Sequence, residues 1–463
     1  MTKSIVSTTI KVIIIAALCA VIVLTTVLCL TGQNGYLGLK DHSKGALYEI
    51  NYYEAKSDKA MLLIPGLMAS TLYDLETDKP VWGYDGILGM VTDLIKIQSS
   101  NATTAEKEKF AQALIDRLAC DENNVPVVRE RVGTMEDPDA YGSFQGMKYI
   151  YDILTPLYGK QYDIIVWQYD WRQSNTGSAL ELEKFINYHG YKEVMFFTHS
   201  MGGVVVSNYL ARSEANRTKT KLFMPFGCPL LGSMDAVNNL FESDGSGMIA
   251  SALTMVKDMF NTEFSINMLA RSMASVYELL PFPAYDTTRY FNAQSADYVG
   301  RQAGVYFESK PVKNEELITV MSSYAWAKRA NGSLKPAVEN LGNYFDSLYI
   351  DVDGQKVFVT DLVPTEYIVG VGLNTLVSAG VDKEGKIVGK VYSTLGDGTV
   401  PAYSATAGHP LDAENVHLVY GIAHGPLANG RDVEGHTPET TGLKYVPGIM
   451  AKYIEKTDSE LEA

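Results

Sequence analysis

From residue 51 onward, strand-length apolar runs alternate with polar stretches of helical spacing. Asn51 to Pro65, Tyr162 to Tyr169, Val194 to Phe197, a run around Phe223, Lys390 to Thr394 and Val416 to Tyr420 read as strands. Between them the period lengthens. Ile87, Leu88, Val91, Leu94 and Ile95 recur at helix spacing, and Lys107 to Leu118 repeats the pattern with charges between. Met248, Ile249, Ala252, Met255, Val256, Met259 and Phe260 make a methionine-rich stripe behind Gly245 and Gly247. That stripe reads either as a helix packed on its neighbours or as an adaptable apolar wall. The pattern reads as an α/β class. Two insertions interrupt it, at about 68–140 and 230–385, with the core resuming near Val388 and running to the end of the chain. Loops after the strands of an α/β sheet lie over its carboxyl edge, where a cap or lid would sit. Trp82 lies on the first insertion, as an aromatic of that lid or as a buried side chain.

The amino terminus has a different pattern. Lys3 and Lys11 precede an uncharged, almost wholly apolar run from Val12 to Leu30. A helix over that run is about 28 Å long, close to the hydrocarbon thickness of a bilayer. It predicts an uncleaved transmembrane signal anchor at 12–30, behind a cytoplasmic segment 1–11 and ahead of a linker 31–45. The leading lysines would place the body, 46–463, outside the cytoplasm. A cleaved signal peptide is the competing reading, although Thr26-Val27-Leu28-Cys29-Leu30-Thr31-Gly32 makes a poor cleavage site.

Candidate chemistry begins at Phe196-Phe197-Thr198-His199-Ser200-Met201-Gly202-Gly203, where the apolar run drives into a small-x-Ser-x-Gly turn followed by a helical segment. Strand, tight turn and helix together force a serine hydroxyl to the top of a sheet. Thr198 stands where the usual motif has glycine. A serine nucleophile needs a base and an orienting acid, which α/β-hydrolases supply downstream in the order acid, histidine. Asp397 lies in the turn Gly396-Asp397-Gly398, and His424 lies in the loop after the strand Val416 to Tyr420. Taken singly, the one is an ordinary turn aspartate and the other an ordinary loop histidine. In order behind Ser200, they make a triad. Of the 7 histidines, His199 belongs to the turn, His417 to a strand, and His409 and His436 to loops without an apolar strand directly before them.

These residues carry a family resemblance. Ile64-Pro65-Gly66-Leu67-Met68-Ala69-Ser70, Tyr169-Asp170-Trp171-Arg172, the serine turn, Gly227-Cys228-Pro229-Leu230-Leu231-Gly232-Ser233, the Gly396-Asp397-Gly398-Thr399-Val400-Pro401 and His424 segments, and more weakly Ser275 to Pro281, occur in order. In them the chain resembles the lecithin:cholesterol acyltransferase family, with its lysosomal phospholipase and phospholipid:diacylglycerol acyltransferase relatives. The resemblance implies an α/β-hydrolase fold, a mostly parallel central sheet flanked by helices, with large cap or lid insertions. It implies Ser200 as nucleophile, His424 as general base and then acid, and Asp397 as the orienting group. It implies an oxyanion hole of the backbone N–H groups of Leu67 and Met201, and a lipid ester as substrate. Asp170 and Arg172 read as an ion pair or hydrogen-bond set supporting the loops rather than as catalytic groups.

Composition narrows the classes. Hydrophobic residues at 46% and charged ones at 20% are the balance of a globular body. A net charge of −15 argues against nucleic acid and against docking on an anionic bilayer, so contact with a membrane would come through the N-terminal helix or apolar lid surface. Of the 4 cysteines, Cys19 and Cys29 fall in the apolar run, leaving Cys120 and Cys228. No disulfide framework is implied, which suits a bacterial cell surface. No metal or cofactor motif is present; Asp351-Val352-Asp353-Gly354 reads as a hairpin turn rather than a calcium loop. The expected function is a membrane-anchored serine acyl hydrolase or O-acyltransferase. A catalytically inactive lipid-binding or scaffold protein of the cell envelope is the alternative.

Overall fold

The computed structural model of the protein describes residues 55–83, 85, 86, 89, 103–241, 266–281, 304–307, 310–312, 314–429 and 439–454. The expected membrane span at 12–30, its flanking segments, the helical pattern of Ile87, Leu88, Val91, Leu94 and Ile95, and the methionine stripe at 248–260 lie outside the described residues. Among the described residues, no helix is long and apolar enough to cross a membrane.

Six strands build the central sheet: Lys59–Ile64 (β1), Asp163–Val166 (β2), Glu193–His199 (β3), Thr220–Phe226 (β4), Tyr367–Val371 (β5) and Val416–Tyr420 (β6). Their order is β6-β5-β4-β3-β1-β2, and every pairing is parallel. Period-2 alternation feeds two cores. Ala60, Leu62 and Ile64 of β1, with Val194 and Phe196 of β3, enter one core. Met61, Leu63, Met195 and Phe197 enter the other. Burial on both faces is why these strands read as continuous apolar runs. The helix Met201–Arg212 is buried from Met201 to Leu210 and fills the first core with Val204, Val205 and Val206. The fold is α/β, a parallel central sheet with flanking helices, which fits the expected α/β-hydrolase architecture. In this order β1 and β3 carry the chain to opposite sides, a switch point at whose carboxyl ends an open α/β sheet usually takes its ligand.

One boundary differs from the sequence pattern. β5 lies inside the stretch 230–385 read as insertion, so the central sheet resumes at Tyr367 and not near Val388. The reason is that Lys390 to Thr394 belongs to another sheet. Strands Thr375–Val381 and Ile387–Ser393 pair antiparallel and join Gly304–Phe307 and Lys310–Pro311 in a separate four-stranded sheet. That excursion leaves β5 and returns to it, where Leu373 and Asp397 bridge. The first insertion holds the helix Thr104–Leu118 and also a three-stranded sheet, Leu72–Asp74, Pro80–Trp82 and Glu130–Val132, too short in its strands to show in the apolar pattern. Trp82 is buried, donating through Nε1 to the Met68 carbonyl at 2.7 Å and packing edge-on against Trp171. Its role as a surface lid aromatic is thereby excluded. Asp351 to Gly354 is the hairpin turn between Tyr349–Val352 and Gln355–Phe358, with positive φ at Asp353 and Gly354.

Candidate active site

Ser200 ends β3 and starts the helix Met201–Arg212, with φ 53° and ψ −130°. A non-glycine residue there is strained, and the turn persists only because both flanking elements are fixed by packing. Gly202 lies against the carbonyls of Ile64 and Pro65, where a side chain would collide. The small residues after the serine are therefore required by the contact between helix and β1 loop. At the first position, Thr198 is fully buried, with its Oγ1 3.3 Å from Cys228 Sγ. The hydroxyl thus has a partner, which accounts for the tolerance of threonine at this site.

The loop after β1 crosses directly against the serine. A Cβ at Gly66 would stand 2.7 Å from Ser200 Cβ and 3.3 Å from its Oγ. Leu67, next in line, and Met201, whose N–H is among those a helix start leaves unbonded, thus border the serine from two sides. The Tyr-Asp-Trp-Arg block holds this loop. Tyr169 Oη donates to the Pro65 carbonyl at 3.0 Å, Trp171 Nε1 to the Ser70 carbonyl at 3.2 Å, and the Tyr169 N–H to Ser70 Oγ at 3.1 Å. Arg172, fully buried, pairs with both oxygens of Asp170 at 2.8 Å and donates to the carbonyls of Arg117 and Val128. The Asp170–Arg172 pair ties the first insertion to β2, as a support. That Tyr169 and Trp171 reach the β1 loop was not read from the sequence. The signal was the pair of aromatics flanking Asp170, each with one polar atom and an apolar body that invites burial.

Asp397 and His424 meet. His424 Nδ1 lies 2.8 Å from Asp397 Oδ2. The other carboxylate oxygen, Oδ1, accepts from the N–H groups of Thr399 at 3.0 Å and Val400 at 2.7 Å. The His424 main-chain N–H also donates to the Asp397 carbonyl at 3.0 Å. Since a carboxylate so placed only accepts, the ring proton sits on Nδ1 and Nε2 keeps a free lone pair. The His424 side chain keeps 16% of its surface exposed against 1% for Asp397, so the acid is sealed while the base faces outward. Burial by itself would lower the imidazole pKa, but the Asp397 charge and hydrogen bond, with Asp235 adding to them, outweigh it and hold His424 above its ordinary value. Gly227, at φ 54°, makes room for the pair: a Cβ there would lie 2.8 Å from Asp397 Oδ2 and 3.4 Å from His424 Nδ1.

Ser200 joins this group through the backbone. Its N–H donates to the carbonyl of Phe226, the residue before Gly227, at 3.2 Å. Its neighbour His199 packs its ring 4.7 Å from the His424 ring. Ser200 Oγ and the His424 ring are not hydrogen-bonded to each other in the structure. In hydrolases such a bond commonly tightens only with substrate in place. Among the described residues, no group of three or more histidine, cysteine, aspartate or glutamate side chains is placed to hold a metal ion.

Residues 149–348 match the model of the family described as lecithin:cholesterol acyltransferase. No curated protein matches the chain. Among solved structures, a chain of "The crystal structure of Tle4-Tli4 complex" aligns with 14% sequence identity over 86% of this chain and 100% of that chain, with a TM-score of 0.45. A likeness at that level says nothing of activity. The family match supports acyl-lipid ester hydrolysis or acyl transfer as the class of chemistry. Over residues 149–348 the chain is similar to the lecithin:cholesterol acyltransferase family.

Proposed function

We propose that the chain is a serine acyl hydrolase or O-acyltransferase for lipid esters, working through an acyl-serine intermediate on Ser200. The observation that carries this reading is the His424 Nδ1–Asp397 Oδ2 bond of 2.8 Å beside a serine held on a strained strand-to-helix turn. Ser200 Oγ attacks the ester carbonyl carbon while His424 Nε2 takes its proton. The carbonyl oxygen becomes an oxyanion facing the N–H groups of Leu67 and Met201, each such donor worth about 3–4 kcal/mol in the barrier. Collapse expels the alkoxide of the lipid, which receives the proton from His424, and leaves the acyl-serine. Water or an alcohol then attacks the acyl carbon, giving its proton to His424; the bond to Ser200 Oγ breaks, His424 returns that proton to Oγ, and the acyl group leaves on the acceptor. Water makes a lipase or phospholipase, and an alcohol makes an acyltransferase. The site is tethered at the outer face of a cell membrane by the apolar segment 12–30.

The test is covalent labelling of the purified full-length chain by a fluorophosphonate. Labelling of the wild type that disappears in Ser200→Ala is expected. A folded wild type that takes no label would instead identify an inactive lipid-binding or scaffold protein. Products from phospholipid vesicles, with and without a long-chain alcohol, then separate free fatty acid from transferred ester.

A further inference from the structure

The residue before the serine makes a contact that the triad does not use. His199 Nε2 lies 2.9 Å from the main-chain carbonyl oxygen of His424. A carbonyl can only accept, so His199 carries its proton on Nε2 and donates. Its ring lies against the His424 ring at 4.7 Å with a 37° tilt. His199 itself is fixed at the end of β3, paired with Phe226 of β4 in the sheet register. The His424 main chain is therefore held from two sides, its N–H by the Asp397 carbonyl at 3.0 Å and its carbonyl by His199.

We infer that His199 is a positioning residue, a strand-anchored clamp that fixes the backbone of His424 so that its ring keeps both the Asp397 bond and its approach to Ser200. The inference rests on the acyl-serine reading above for its effect on turnover, but not for its effect on the His424 ring. His424 begins a short helical turn, His424–Asn429, whose Leu427 and Ala428 are buried in the core, so the His199 bond fixes the first residue of an element already seated at its other end. The clamp must also stay uncharged, because a second positive ring would oppose the imidazolium that forms during turnover. Enclosure of the His199 ring, with His424 beside it, lowers its pKa to about 3, so it remains neutral wherever His424 titrates. The charged groups that act on His424 are Asp397 and, from the helix Met234–Phe241, Asp235. Neither is displaced by a change at His199.

Two variants of the full-length chain test this. His199→Phe keeps an aromatic face against His424 and removes the donor. His199→Gln keeps an N–H that can reach the same carbonyl. In His199→Phe, kcat is expected to fall by about 10- to 100-fold with KM little changed, as for a sub-ångström to ångström misplacement of a base. The His424 pKa, read by imidazole NMR without any substrate, should fall by about half a unit to one unit as the Asp397 bond loses alignment. His199→Gln should recover most of both. A folded His199→Phe with the wild-type His424 pKa overturns the inference, whatever its activity. A lowered melting temperature with kcat and the His424 pKa unchanged also overturns it, since that would mark a packing role alone. If the wild type turns over no ester and takes no fluorophosphonate, the functional reading fails while the NMR arm still decides the clamp.

Discussion

Asp397 divides its two oxygens between different tasks. Oδ1 accepts two main-chain N–H groups of its own turn, and Oδ2 accepts the ring proton of His424. Replacement by asparagine keeps one acceptor, and the turn claims it through the Thr399 and Val400 N–H groups. The amide NH2 then points at His424 Nδ1 and can only donate, which forces the ring proton onto Nε2. A ring in that tautomer cannot take the serine proton. Asp397→Asn is therefore expected to fold with its turn intact and to lose about 10⁴ in kcat, the size found for the orienting acid of a serine protease. Circular dichroism, melting temperature and steady-state rates check this together. Retained turnover would remove Asp397 from the orienting role, and loss of folding would make it structural.

At the level of elements, the strands that carry the candidate site were legible because burial on both faces leaves runs such as Met61 to Ile64 and Val194 to Phe197 unbroken. The serine turn follows such a run directly and the loop of His424 follows the partly buried edge strand Val416–Tyr420, so their place at the sheet's carboxyl edge could be read. The approach to Asp397 could not. Ile387–Ser393 has the composition of a core strand, yet it pairs with Thr375–Val381 outside the central sheet. Sequence periodicity reports that a strand is half-buried, not which sheet takes it. The clamp from His199 was equally hidden, because its partner is a main-chain carbonyl 225 positions away, and backbone groups leave no mark in residue type. Contacts between cap and core are hidden for the same reason. Glu278, on the segment after the helix Ala274–Tyr277, turns its carboxyl into the start of the helix Asn175–Tyr188, where Ser174 Oγ and the Asn175 N–H both donate to it at 2.5 Å. Burial pushes that carboxyl up to about 7, against the pull of those donors. The folded pKa thus lies above the unfolded one, near 4.5. Its contribution to stability is complete below about pH 4.5 and is lost as pH rises through about 7. The full loss is at most about 3 kcal/mol, less because the residue keeps some solvent contact. Glu278→Gln has no such proton to lose. The melting temperature of the wild type relative to Glu278→Gln should decline between pH 5 and pH 8, and a difference independent of pH would show that Glu278 is charged throughout.

For the whole molecule, the net charge of −15 and the apolar run from Val12 to Leu30 pull in opposite senses at a membrane. Charge of this sign is repelled by anionic lipid over a range of about 10 Å at 0.1 M salt, so the net charge gives the body no attraction to an anionic bilayer. Apolar attachment, by contrast, does not weaken with salt. If the tether and not the charge brings the site to its substrate, turnover of long-chain phospholipid vesicles by the full chain should be insensitive to salt and should not rise when anionic lipid is added. A chain beginning at residue 46 should lose turnover on vesicles while keeping its rate on a short soluble nitrophenyl ester, because the chemistry at Ser200 is unchanged and only local substrate concentration falls. Long-chain esters should nonetheless exceed the short ester in kcat for the full chain, since binding of the remote acyl chain helps position the carbonyl. The decisive comparison is the ratio of vesicle to soluble-ester rates for the two chains across a salt series. Equal ratios would detach the N-terminal segment from function. A vesicle rate that needs anionic lipid and disappears at high salt would point to a basic patch that the net charge conceals.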